Sequence, residues 1–90
     1  VLEIAPDDLQ AINGLGIALF SQEDFKGAAE QFANYLRVDP KNAPAHYNLG
    51  LINRHEFKNE KAAVEHFKAA KALKWDDPAL DKRLDEELAK

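Results

Sequence analysis

The chain has no cysteine, no methionine and no threonine, one serine and one tryptophan. Without cysteine there can be no disulfide staple, thiolate nucleophile or thiolate metal site, and the redox compartment stays open. Ser21 is the single serine, and the three histidines fall in no triad-like arrangement, so the usual inventory for nucleophilic or acid–base catalysis is missing. The sequence therefore reads as non-enzymatic, with no cofactor. Gly14-x-Gly16 lies inside a helical pattern and follows no strand, which excludes a phosphate-cradling loop. No apolar run approaches the length of a membrane span, and no charged-then-apolar leader opens the chain. A net charge of −4 disfavours nucleic acid as the main partner, because phosphate binding needs a basic surface. The lack of methionine makes the sequence read as a piece cut from a longer protein, whose leader or anchor would not be visible. The compartment is left open, with the cytoplasm as the default for a soluble segment.

What is present points to a folded helical domain. Ninety residues make one domain at most, and 46% hydrophobic with 31% charged residues suits a globular helical chain better than a disordered tail. Displaced by 34 residues, the sequence matches itself: Leu15-Gly16 falls on Leu49-Gly50, Ala28-Ala29 on Ala62-Ala63, and Leu2, Ile4 and Pro6 on Leu36, Val38 and Pro40.

Each unit predicts two amphipathic helices. Ile12, Leu15, Gly16 and Leu19 recur at three- and four-residue spacing after Pro6 and the capping residues Asp7 and Asp8. Asp24 caps a second helix with Phe25, Ala28, Ala29, Phe32, Leu36 and Val38 on one face, stopped by Asp39-Pro40. Asn42 opens a third helix, with Pro44 tolerated in its first turn. Asn59 or Glu60 opens a fourth that carries Ala63, Val64, Phe67, Ala70 and Leu73. Asp77-Pro78 starts a last helix with Leu80, Leu84 and Leu88. Gly16 and Gly50 each cost about 1 kcal/mol of helix propensity against alanine. That cost implies close helix approach, with Ala28, Ala62 and Ala63 as the matching flat surface and Phe32 and Phe67 filling the wedge. Gly14 has no such evident reason.

These spacings resemble the tetratricopeptide repeat, whose pattern is Trp-x2-Leu-Gly-x2-Tyr, Ala-x3-Phe, Pro. The first unit supplies Leu15-Gly16-x2-Leu19, Ala28-x3-Phe32 and Pro40; the second supplies His46-x2-Leu49-Gly50, Ala63-x3-Phe67 and a late Pro78. The resemblance implies an all-α fold, a right-handed α-α superhelix of helix–turn–helix repeats with a C-terminal capping helix. On it, residues 1–90 form one domain fragment: 1–6 end a preceding repeat, 7–40 and 41–75 are two repeats, and 77–90 are the capping helix. There are departures. Ile12 and His46 stand at the aromatic position, and Asn53 where an aromatic or leucine belongs. Tyr35 takes a position usually small. One extra residue falls around residues 55 to 61 and about three more before Pro78.

The resemblance also implies function: a protein-interaction module, scaffold or adaptor, that takes a partner peptide or helix in an inner groove lined by the first helix of each pair. The implied groove residues are Asn13, Ile17, Tyr47, Asn48, Leu51 and Arg54, with Gln10, Pro44, His55 and Phe20 or Ser21 beside them. Ile17 and Leu51 could equally be packed against a neighbouring helix. Some family members clamp the C-terminal carboxylate of chaperones with Lys and Asn on successive first helices; only Asn48 matches here, with Asn13 and Ile17 at the first-unit positions. The alternative is structural self-association, a homodimer through an apolar N-terminal edge at Val1, Leu2 and Ile4 with Ile12 and Phe25. His46, His55 and His66 share no helix face in ligand register, so no metal site is expected, and His46 reads as a replacement for a buried aromatic. Lys58, Lys61, Lys68, Lys71 and Lys74, interleaved with Glu60 and Glu65, read as a solvated outer face, and Asp76, Asp77, Glu86 and Glu87 as caps and surface residues. Trp75, between the last repeat and the closing helix, is expected to report by its fluorescence whether that helix docks.

Overall fold

A computed structural model describes residues 9–89. Expectations placed on residues 1 to 8, including the Asp7 and Asp8 caps and the N-terminal edge at Val1, Leu2 and Ile4, lie outside the described residues. Among the described residues there are five helices and no strand: α1 Leu9–Ser21, α2 Phe25–Val38, α3 Ala43–His55, α4 Glu60–Ala72 and α5 Pro78–Leu88. Each packs on its neighbour in the chain, α1 on α2, α2 on α3, α3 on α4 and α4 on α5. The result is a slab of 45 × 27 × 19 Å.

Side-chain caps set where α2 to α5 begin. Asp24 accepts from the Gly27 amide at 3.1 Å, Asn42 from Ala45 at 2.8 Å, Asn59 from Ala62 at 3.2 Å, and Asp77 from Ala79 and Leu80 at 3.1 and 3.3 Å. Each satisfies amides that lack an intrahelical acceptor. The turn inside each pair passes through a left-handed residue just before the cap, Glu23 at φ 63° and Lys58 at φ 55°. The caps Asp24 and Asn59 are 35 residues apart, whereas Gly16 and Gly50 are 34 apart. The second unit's extra residue therefore sits in the α3–α4 turn. Asn42 and Asp77 keep the 35-residue offset, so no further residues intervene before Pro78. Pro78 opens α5 as Pro44 lies in the first turn of α3, and it is not the counterpart of Pro40.

The core is built twice. Ala28, Phe32, Leu49 and Ile52 form one buried cluster, and Ala43, Ala63, Phe67, Ala70, Leu80 and Leu84 the other. The glycines explain the fit, although their neighbour is a phenyl ring and not the expected alanine surface. A Cβ on Gly16 would lie 3.0 Å from Phe32 Cε1, and one on Gly50 only 2.5 Å from Phe67 Cε1. Both rings are fully buried. Leu15 is 37% exposed although Leu49, its counterpart, is buried. The cause is placement: α2 covers Leu49, and no described helix precedes α1. Val38 is likewise exposed, not part of the buried stripe.

The polar departures are satisfied locally. Asn53 Nδ2 donates to the Leu49 carbonyl within its own helix at 2.8 Å, and Tyr35 Oη accepts from Asn42 Nδ2 at 3.0 Å, so the oversized residue ties α2 to the start of α3. The closing helix is docked: Leu80 and Leu84 are buried and Leu88 packs beside them. Trp75 is nonetheless 41% exposed. It lines a shallow recess with Pro78 and Asp81 of α5, so more than half of its surface is covered beside the closing helix.

Candidate binding face

The first helix of each pair supplies the candidate face, and the six implied residues divide into two groups on it. Ile17, Phe20 and Ser21 of α1 face Asn48 of α3 across a cleft of about 240 Å³ floored by Phe32. Ile17 is 50% exposed at its mouth. Asn13 lies one turn earlier on α1, and neither the Asn13 nor the Asn48 amide makes a hydrogen bond among the described residues. Phe20 also walls a second cleft of about 180 Å³, shared with Phe25, Leu51, Ile52, His55 and Glu56. The rings of Phe20 and Phe25 meet edge to face at 5.3 Å between centroids, a preferred aromatic geometry that stiffens the partition.

Tyr47, Leu51 and Arg54 are drawn into the packing beneath α5. Tyr47 and Leu51 pack against the second cluster, and the Tyr47 ring lies 6.0 Å from that of Phe67. Arg54 departs furthest from the implied groove role. Its side chain is 9% exposed and pairs with Glu60 of α4 and with Glu87 of α5, at 2.7 Å to Glu87 Oε1. It also donates to the Glu87 carbonyl at 2.8 Å, and its guanidinium carbon stands 5.0 Å from the centre of the Phe67 ring. A planar five-donor fork can serve two carboxylates and a ring at once. Hydrogen bonds donated to Glu60, and after it to Glu87, push the guanidinium pKa up against the opposing effect of burial. Arg54 is the tie of three helices, and Glu87 is part of that tie and not a surface charge. Lys71 stays on the solvated face expected for it and pairs there with Asp81 and Asp85 of α5 at 2.6 and 2.8 Å.

Sequence reasoning missed the contact between His46 and His66, because it compared histidines along single helices and these two come from α3 and α4. His46 does not simply fill a buried aromatic site. Among the described residues, no three His, Cys, Asp or Glu side chains gather as a metal site, and no helix is long and apolar enough to cross a membrane.

Residues 13–78 match the family model described as Tetratricopeptide repeat. The chain belongs to the tetratricopeptide repeat family. The matched residues run from within α1 to the start of α5, and repeats of this kind generally mediate protein–protein interaction. A relative from Solanum lycopersicum, the "Probable UDP-N-acetylglucosamine–peptide N-acetylglucosaminyltransferase SPINDLY", is 35% identical over 81 residues. That alignment takes in 90% of this chain and 9% of the relative, so the chain spans about a tenth of that protein's length.

Proposed function

We propose that the face shared by α1 and α3 receives a peptide segment or helix of another protein. An apolar side chain of the partner enters beside Ile17 and Phe20, and the amides of Asn13 and Asn48 hold its main chain. The observation that carries this reading is Ile17, a large apolar side chain half exposed at the mouth of a cleft whose opposite wall is the uncommitted amide of Asn48. Apolar anchors with a few placed polar groups are the usual composition of such sites. In this reading the segment binds and performs no chemistry. Within a parent resembling the tomato relative, it would hold a protein while transfer occurred elsewhere.

Leu51 lines the cleft next to this one, and Tyr47 and Arg54 act by fixing α3 against α4 and α5. Peptides selected from a display library on the immobilised chain test the assignment. Ile17→Asp and Asn48→Ala are expected to weaken the selected peptides at least about tenfold, the worth of one lost anchor or hydrogen-bonding group. Lys68→Glu on the outer face should leave them unchanged. Equal loss in all three variants, or loss in Lys68→Glu alone, would move the site elsewhere.

The exposure of Leu15 favours a second reading, association of two copies along the open side of α1. Sedimentation over a wide concentration range separates the two: a monomer throughout removes the dimer, and a tight dimer displaces the groove.

A further inference from the structure

Two imidazoles that play no part in the cleft meet across the α3–α4 contact. His46 Nδ1 is 3.1 Å from His66 Nδ1, with ring centroids 5.4 Å apart and planes tilted by 37°. The other nitrogen of His46, Nε2, is 3.1 Å from the Pro40 carbonyl oxygen. A carbonyl can only accept, so His46 Nε2 carries a proton, and in the neutral ring Nδ1 is then a bare lone pair. The bridge consequently needs His66 Nδ1–H to donate into it. This tautomer assignment follows from the bonding network. One added proton can enter at His66 Nε2 and leave the N–H···N bond intact, now charge-assisted. A second has only His46 Nδ1 to go to, which is the bridge's acceptor. Two protons would set N–H against N–H between two cations.

We propose that the His46–His66 bridge is a one-proton latch between α3 and α4, which holds while the pair has taken up at most one proton beyond its neutral state and opens when acid forces in a second.

The surroundings fit that role. Half-burial, and after it His46, lower the pKa of His66, so even the first added proton is disfavoured at the bridge, while Glu65 on its own helix pulls the other way. Glu65 is the one carboxylate acting on His66 among the described residues. On α5, Asp81 and Asp85 turn to Lys71. Arg54 on α3 is held by Glu60 and Glu87. On the α2 side, Tyr35 Oη accepts from Asn42, and Asp39 accepts from the Lys41 amide.

The folded pair binds one proton fewer than the unfolded chain, whose imidazoles titrate near ~6.5. The stability this confers is present above about pH 6.5 and is lost as pH falls through the lowered folded value, the unfolding constant approaching a tenfold rise per pH unit. Below about pH 5 carboxylates add their own dependence, so the diagnostic window is roughly pH 5 to 6.5.

Denaturant titrations across this window on the wild type, His66→Gln and, as a control, the exposed His55→Gln test the latch. Between about pH 6.5 and 5.5 the wild-type and His55→Gln unfolding constants are expected to rise roughly fivefold more than that of His66→Gln. Nitrogen-detected NMR of the wild-type imidazoles reads the latch directly and does not require the variant to fold. It should find His46 protonated at Nε2 and His66 at Nδ1 at neutral pH. Equal pH dependence in wild type and His66→Gln, or His46 protonated at Nδ1, would overturn the proposal.

Discussion

Adding a single methyl group at each of three helical glycines should produce three different results, because the space around them differs. Replacing a helical glycine with alanine gains about 1 kcal/mol of propensity when nothing opposes it. At Gly14 a Cβ meets nothing within 4 Å, so Gly14→Ala should show that gain nearly whole. At Gly16 the nearest atoms are Phe32 ring carbons at 3.0 to 3.3 Å. A shift of a few tenths of an ångström relieves that crowding, and gain and cost nearly cancel. At Gly50 three Phe67 carbons stand at 2.5 to 2.9 Å. Phe67 is fully buried, with Tyr47 and the Arg54 guanidinium beside its ring, so it has nowhere to go. Overpacking costs about 1–3 kcal/mol, and three ring carbons under 3 Å with no room to shift put this site at about 2–3 kcal/mol, enough to reverse the sign. Urea unfolding followed by far-UV circular dichroism should rank the chains Gly14→Ala above wild type, Gly16→Ala beside it, and Gly50→Ala below it by about 1–2 kcal/mol. For a domain of this size each kcal/mol moves the melting midpoint by roughly 4–8 °C. A Gly50→Ala chain as stable as wild type, or a Gly14→Ala chain less stable than Gly50→Ala, would refute the nesting of glycine on phenylalanine.

Arg54→Ala removes a side chain that joins three helices and strips a guanidinium from Glu87, which is only 13% exposed; it should cost about 2–3 kcal/mol. Hydrogen exchange should show the amides of α5 opening first, and unchanged protection there would contradict the tie. Lys58→Gly, at φ 55°, should be neutral or stabilising by up to about 1 kcal/mol, because glycine takes the left-handed region without the Cβ penalty. A clear loss of stability in that variant would argue against the left-handed turn before Asn59.

The repeat was readable because small residues and caps recur at fixed offsets, and each has a local physical reason. Asp24, Asn42 and Asp77 cap where the sequence placed them, and Asn59 takes the cap that was left open between it and Glu60. Asp77-Pro78 opens the last helix as the sequence placed it, but matching Pro78 to Pro40 as a late repeat proline failed, because Pro40 follows a helix and Pro78 begins one. On the candidate face, the resemblance put Ile17 and Asn48 together and they line one cleft, but it could not say what α5 covers. Arg54 looked like a groove residue because the carboxylate it meets on α5 lies 33 positions away. The His46–His66 contact was hidden for the same reason, since two residues on different helices have no register until the helices are packed. Leu15 fits its pattern perfectly and is exposed nonetheless, because burial depends on a neighbouring helix and not on the residue itself.

Site-specific photo-crosslinking probes the candidate face most directly. A photoreactive residue at position 17 should capture a partner polypeptide, and one at position 68, exposed on α4 and outside the cleft, should not. Crosslinks from position 68 with none from position 17 would contradict the account.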